Sequence, residues 1–323
     1  MNKTDAIFQM NELGKRSEPF FFLIDFELEN IQIHKWDALP SNLYFDFGNV
    51  KHPAKQRFPE PDNTQFSFEA YPYTEYAEAF RLVLDEINYG NSFLLNLTGR
   101  SKLNTQLSLE QIYQMSNAKY RLYLADSFVS YSPESFIQIK EGTISSFPMK
   151  GTIDASIENA KDIILADPKE KAEHNTIVDL IRNDMSRYAK QVHVPRYRYI
   201  DTIKSKDATL YQVSSEVKGQ LPESYAEQIG SILFSMLPAG SVSGAPKVKT
   251  LEIIRRAERS KRGYYTGVAG YFDGLNMDSC VLIRFIAQDQ DSLYYHSGGG
   301  ITFMSDVDKE YNELIQKIYV PTS

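Results

Sequence analysis

Strand-like and helix-like stretches in this chain come in groups instead of alternating, and that grouping constrains the fold class. The run Pro19-Phe20-Phe21-Phe22-Leu23-Ile24 and the segment Asn42-Leu43-Tyr44-Phe45-Asp46-Phe47 read as buried strands with turn residues between them. A Pro- and charge-rich stretch, roughly residues 52–62, reads as a loop or boundary. Helical spacing follows over 74–89, with Tyr76, Ala79, Phe80 and Val83 on one side. Strands are predicted over 93–97, 120–124, 128–131 and 136–139, then helices over 172–188, 223–234 and 246–259, the last opened by Pro246. The β pattern returns over 266–272 and 280–288, separated by Asp273-Gly274, and again over 292–296. Ser305 is predicted to begin a final helix, with Asp308 three positions later as a capping-box pattern. This order does not suit βαβ units and predicts an α+β fold with mainly antiparallel sheets. Residues 1–73 are expected to form an N-terminal β-rich segment packed on the core, and 74–323 the main domain.

Bulk properties narrow the function classes. A formal charge of −7 argues against a general nucleic-acid surface, so an anionic ligand would need a locally positive pocket. The single cysteine, Cys280, excludes an internal disulfide framework and fits a reducing compartment. The N-terminus lacks a signal-peptide pattern and no apolar run reaches membrane-spanning length, so a cytoplasmic location is expected.

Several polar residues could carry chemistry. Lys150 stands in a short polar turn, Ser145-Ser146-Phe147-Pro148-Met149-Lys150-Gly151-Thr152, and Glu134 in Ser132-Pro133-Glu134-Ser135-Phe136. A free lysine titrates near 10.4, so a nucleophilic Lys150 would have to be shifted down by burial or nearby positive charge. Glu134 would have to be protonated to deliver a proton to a leaving group. Glu310, Glu313 and Lys317 share one helical face, which by spacing alone reads as a solvated stripe with an i, i+4 ion pair. Glu173 precedes Asn175-Thr176-Ile177-Val178-Asp179-Leu180-Ile181-Arg182-Asn183-Asp184; near a helix start it would complement the helix dipole, while Arg182 and Asp184 read as local structural partners. Arg284 interrupts the apolar strand Leu282-Ile283-Arg284-Phe285 and needs a partner, either a ligand or an internal carboxylate. The Gly240–Lys247 turn before Pro246 could hold an anion on backbone N–H groups, but its spacing is not that of a Walker A loop, which weakens a nucleotide-binding reading. Gly298-Gly299-Gly300 permits close backbone approach to a ligand.

Taken in order, these runs resemble the chorismate-utilising enzymes, a resemblance that covers roughly residues 74–320. It implies two large stacked, mainly antiparallel sheets flanked by helices. It also implies Mg²⁺ held by Glu173 and Glu313 with help from Glu310, a class of ion suited by hard oxygen donors. Chorismate would be bound by Arg284, Tyr265, Lys317, Ser241, Thr152 and the backbone of Gly298, Gly299 and Gly300. Lys150 in a Pro-x-Lys-Gly-Thr run is similar to aminodeoxychorismate synthase component I, where anthranilate synthases usually carry alanine. Lys150 would then be the nucleophile and Glu134 the acid in amination of chorismate at C4. Asn96 occupies the place of a water-activating lysine in isochorismate and salicylate synthases, which disfavours water addition. Gln212 stands where the family usually has histidine, and cannot shuttle a proton. Cys280 lies in a predicted strand and not on a nucleophile elbow, so ammonia is expected from a separate glutamine amidotransferase subunit. With no lyase segment after Val320, loss of pyruvate is expected to belong to another protein. The alternatives are an anthranilate synthase component I and a non-catalytic chorismate-binding subunit.

Overall fold

The computed structural model describes residues 1–53, 64–204 and 209–320, so most of the loop expected over 52–62 lies outside the described residues. Strands among them form two nine-stranded sheets. The first runs Met149–Asp154, Thr209–Gln220, Thr143–Ser146, Ser135–Lys140, Met277–Val281, Val268–Phe272, Phe20–Ile24 and Ile31–Lys35, with Lys190–Lys204 also paired to Thr209–Gln220. In the second the order is Gly244–Ala245, Leu94–Thr105, Ser292–Ile301, Phe285–Asp289, Phe128–Ser132, Tyr120–Leu124, Leu43–Asp46 and Lys51–His52, with Phe66–Glu69 also on Leu94–Thr105. Neighbouring strands pair antiparallel, as the grouped periodicity requires.

The apolar run Phe20–Ile24 is buried at every position because both of its faces are covered. Phe21 and Leu23 point into a core shared with Phe45, Tyr120, Leu122, Phe128 and Phe285 of the second sheet. Phe20, Phe22 and Ile24 pack on the opposite side with Met10, Ile177, Ile181, Ile232 and Leu233, from helices Lys3–Lys15, Pro168–Met185 and Ile229–Ser235. On the outer face of the second sheet, Tyr76, Phe80 and Val83 of helix Tyr73–Asn88 meet Ile253 and Ile254 of Lys247–Glu258 and Leu314 of Val307–Gln316. Helices thus sheathe two stacked sheets, and alternate side chains of each central strand serve different cores.

Sequence expectations shift in specific places. The first residues form a helix that periodicity did not suggest, and the strands after it enter both sheets. Lys150 lies on a strand, Met149–Asp154, and not in a turn; a bulge between Lys150 and Thr152, with Gly151 at φ 74°, produces the turn-like composition. The helix carrying Glu173 starts at Pro168, capped by Asp167, so Glu173 sits in its second turn. The last helix is capped by Asp306, whose side chain accepts from the Lys309 N–H, and not by Ser305. The predicted strand 280–288 is two strands in different sheets, with the chain crossing between them at Leu282–Arg284.

One buried ion pair fixes the wall between the sheets and the Lys247–Glu258 helix. Arg262 donates to both carboxylate oxygens of Glu258 (2.8 and 2.6 Å) and to the carbonyls of Val242 (2.7 Å) and Asn96 (2.6 Å). Glu258 also accepts the backbone N–H and hydroxyl of Thr98. Both side chains are almost wholly excluded from solvent, so removing the carboxylate strands a buried guanidinium. Glu258→Ala should lose about 3–5 kcal/mol in urea unfolding; a loss under about 1 kcal/mol would show that the pair does not hold this wall.

Candidate active site

The chain passes between the sheets twice at neighbouring points. Phe128–Ser132 belongs to the second sheet and Ser135–Lys140 to the first, and Glu134 lies in the link; Met277–Val281 and Phe285–Asp289 make the reverse passage through Arg284. The Val281 N–H donates to the Glu134 carbonyl (3.1 Å), tying the two passages together. Arg284 adopts a left-handed φ of 52°, uncommon for a residue with a side chain, and its carbonyl accepts from the Tyr131 N–H. Crossing strands cannot fill the gap they leave. A cavity of about 420 Å³ opens there, lined by Glu134, Lys150, Thr152, Lys169, Glu170, Glu173, Ser241, Tyr265, Arg284, Gly298, Glu313 and Lys317, together with Asn96, Gln212 and His296.

Lys150 and the acidic residues meet in this cavity. Lys150 Nζ is 3.2 Å from Glu173 Oε2. The expected downward shift of Lys150 is corrected by its surroundings: burial pushes it down, but Glu173 and Glu170 outweigh burial and hold it as an ammonium above the ordinary lysine range. Glu134 behaves as its role would need. Burial raises its carboxyl above the usual range, against the opposing effects of the Ser241 hydroxyl, which donates to Oε1 at 2.5 Å, and of Lys150. Arg284 is surrounded by Tyr131, Tyr265, Tyr295 and Tyr319, and among the described residues no carboxylate pairs with it. A largely buried guanidinium without a counter-ion is suited to an anionic ligand. Lys317 is held by Glu313 (2.7 Å) and by the Gly298 carbonyl (2.7 Å).

The three glutamates approach the strand Ser292–Ile301 at its glycines. A Cβ on Gly300 would lie 2.5 Å from Glu173 Oε2, and one on Gly299 would meet Glu310 Oε2 and Glu313 Oε1, each at 3.6 Å. Gly298 lines the cavity; Gly299 and Gly300 make room for carboxylates. Glu310 stands behind the lining and is joined to it by Lys169, which spans Glu310 Oε1 (2.7 Å) and Glu173 Oε1 (3.2 Å). Glu310 Oε2 is buried without a hydrogen-bond partner, and Glu173 Oε1 has only the Lys169 ammonium beside it. Under-satisfied carboxylate oxygens beside a glycine cradle fit a hard divalent cation. As the side chains stand, no ready cage of three or more metal-ligating groups exists among the described residues, because lysines occupy the space between the carboxylates.

Lys169 and Glu170 were missed by sequence reasoning. With the helix begun at residue 172 they fell outside it, whereas the i, i+4 relation of Lys169 to Glu173 was available. Arg182 and Asp184 each pair locally, with Asp179 (3.2 Å) and Arg187 (3.5 Å), and the buried Asp184 also reaches Lys247 at 2.6 Å. The Gly240–Val242 turn supplies Ser241 to the cavity. Cys280 is buried within its strand, with its thiol pushed up by burial.

Residues 18–323 match the model of the chorismate binding enzyme family. The chain belongs to that family. An uncharacterized PabA-like protein of Haemophilus influenzae is 47% identical over 314 residues, spanning 97% of this chain and 95% of the relative. Aminodeoxychorismate synthase component 1 of Klebsiella aerogenes is 32% identical over 260 residues, 76% of this chain but 56% of the relative, so the chain spans little more than half of that protein. Anthranilate synthase component I of Streptococcus pneumoniae superposes with a TM-score of 0.68 at 28% identity, covering 80% of this chain and 60% of that one. The two stacked antiparallel sheets are thus the chorismate-binding fold, and the match begins well before residue 74. Among the described residues no helix is long and apolar enough to cross a membrane.

His296 lines the cavity beside Tyr265 and Phe285, with ring centroids 5.0 and 5.5 Å away. Burial, with Arg100 and Arg262, pushes its imidazole down to about 3 from 6.5. The unfolded chain therefore takes up this proton first, and stability is lost as pH falls from about 6.5 toward 3. His296→Gln should lose about 1–2 kcal/mol less than the wild type between pH 7 and 5 in urea titrations; parallel losses would exclude His296 as a source of acid sensitivity.

Proposed function

We propose that this enzyme aminates chorismate at C4 with ammonia, giving 4-amino-4-deoxychorismate, a precursor of p-aminobenzoate and folate. The observation that carries the reading is the placement of Lys150 opposite Glu134 in a cavity that also holds Arg284 without a carboxylate partner. Arg284 and Lys317 would anchor carboxylates of chorismate, with Tyr265 against the ring and Ser241 and Thr152 at its edges. Mg²⁺, held by Glu173 and Glu313 with Glu310 in support, would draw electron density from the ring carboxylate and lower the negative charge that keeps Lys150 protonated.

Lys150 then needs to lose one proton before it attacks. Its amine would add at C2, the ring double bonds would shift, and the C4–O bond would break as Glu134 delivers a proton and water departs. Ammonia adding at C4 would reverse the shift and expel the Lys150 amine, so that one water leaves for each ammonia taken up. Glu134, raised by burial, retains a proton for this step at pH values where an exposed glutamate would not. Asn96 and Gln212 line the cavity but neither can act as a base. That supports amination over water addition and leaves Glu134 as the acid. A glutamine amidotransferase subunit would supply the ammonia.

The test is product identification. Protein incubated with chorismate, Mg²⁺ and an ammonium salt should yield 4-amino-4-deoxychorismate by mass spectrometry, and Lys150→Ala should lower turnover by about 10³-fold or more. Fluorescent anthranilate formed without an added lyase would instead establish an anthranilate synthase. Equal turnover by wild type and K150A would exclude a covalent lysine.

A further inference from the structure

Lys169 has a place in the acidic cluster that neither substrate binding nor the covalent step uses. It sits in the first turn of Pro168–Met185 and reaches across to a second helix, contacting Glu173 at 3.2 Å and Glu310 at 2.7 Å. Those carboxylates are fixed and almost fully buried, at 3% and 2% exposure, whereas the Lys169 side chain keeps 23% of its surface in solvent. The other two lysines are otherwise committed: Lys150 stands on the reacting side of Glu173, and Lys317 is anchored on the Gly298 carbonyl as well as on Glu313. The Lys169 ammonium is held through its two ion pairs with Glu173 and Glu310, and Glu313 adds to the field on it.

Charge balance gives this arrangement a consequence. Counted as formal charges, Glu170, Glu173, Glu310 and Glu313 face the ammonium groups of Lys150, Lys169 and Lys317 and are one negative charge in excess. A divalent cation entering beside Lys169 would leave the cluster positive; one entering as Lys169 withdraws leaves it neutral. Lys169 is the cation on Glu173 Oε1, and on Glu310 it holds one oxygen while the other, Oε2, is buried without a partner. We propose that Lys169 is a resident counter-ion that holds the carboxylate cluster together when no divalent cation is bound and swings to solvent as one enters, so that the chain itself sets the affinity for that cation. The inference rests on the magnesium reading of these carboxylates given above.

Competition of this kind has a direct signature, because removing the competitor tightens binding while weakening the cation-free protein. The probe is the metal alone: Mg²⁺ followed by calorimetry, and Mn²⁺ followed by loss of the free-ion electron paramagnetic resonance signal. Lys169→Met should bind either ion at least about fivefold more tightly than the wild type. It should also melt at lower temperature without the ion, with a larger upward shift when the ion is added. Should K169M fail to fold, Lys169→Gln, which keeps a donor but no charge, carries the same comparison. Affinity unchanged or weakened in the neutral variant, with the wild type binding normally, would overturn the counter-ion role alone. Absence of divalent binding to wild type and variant alike would overturn the magnesium reading and this inference with it.

Discussion

Buried like charges constrain everything around this cavity. Glu173 and Glu310, from two helices far apart in sequence, are brought within reach of the same strand, Ser292–Ile301, in surroundings that screen little. Such carboxylates can stay ionised only if cations interleave with them, and lysines from a strand and two helices do so. The requirement reaches into the backbone. A side chain at Gly300 would push the Glu173 carboxylate from its place, so the position of that carboxylate depends on the glycine.

The position of the cavity follows from topology. Two stacked sheets need connections, and where two of these lie side by side the sheets cannot pack face to face. Glu134 and Arg284 stand in those connections, each fixed through its backbone: the Glu134 carbonyl accepts from Val281, and the Arg284 carbonyl from Tyr131. Neither residue depends on a mobile side-chain network for its placement, which suits groups that must meet a ligand at fixed angles. Arg262 extends the same principle to the opposite wall, where one guanidinium holds carbonyls from Asn96 and Val242.

How legible this was depended on range. The continuous apolar run Phe20–Ile24 announced a strand buried on both faces, and the grouped periodicity announced antiparallel sheets. The long strands Lys190–Lys204 and Thr209–Gln220 were not anticipated: the first is a largely polar edge strand, and the second buries the polar Ser214, Ser215 and Glu216 between Val213 and Val217, so neither shows a clean alternation. The break at Leu282–Arg284 was hidden because an uninterrupted apolar run reads the same whether it stays in one sheet or crosses to another. Glu134, Lys150, Glu173 and Arg284 were named from sequence, and the fold brings all four to one cavity. What sequence could not supply was the sign of the field at Lys150. Composition gives the charges, but only the fold shows that two glutamates outweigh burial there. Lys169 was lost for a more local reason, a helix start placed four residues too late.

That sign bears on how a lysine can serve as nucleophile in an acidic enclosure. Burial pushes the Lys150 ammonium toward losing its proton, and the neighbouring carboxylates outweigh it and favour the charged form. An amine kept free in such a cavity would react with adventitious electrophiles; one kept protonated does not. In the proposed reaction, activation of Lys150 would have to coincide with a change in the charge of the acidic cluster, made by the groups that load the site. Glu134 has the complementary arrangement, since burial outweighs the Ser241 hydroxyl, Lys150 and Arg284 and holds its carboxyl above the usual range. The two residues thus begin with the proton inventory that the proposed reaction needs, except for one proton on Lys150, and the carboxylates that retain that proton are the same groups that would bind the cation.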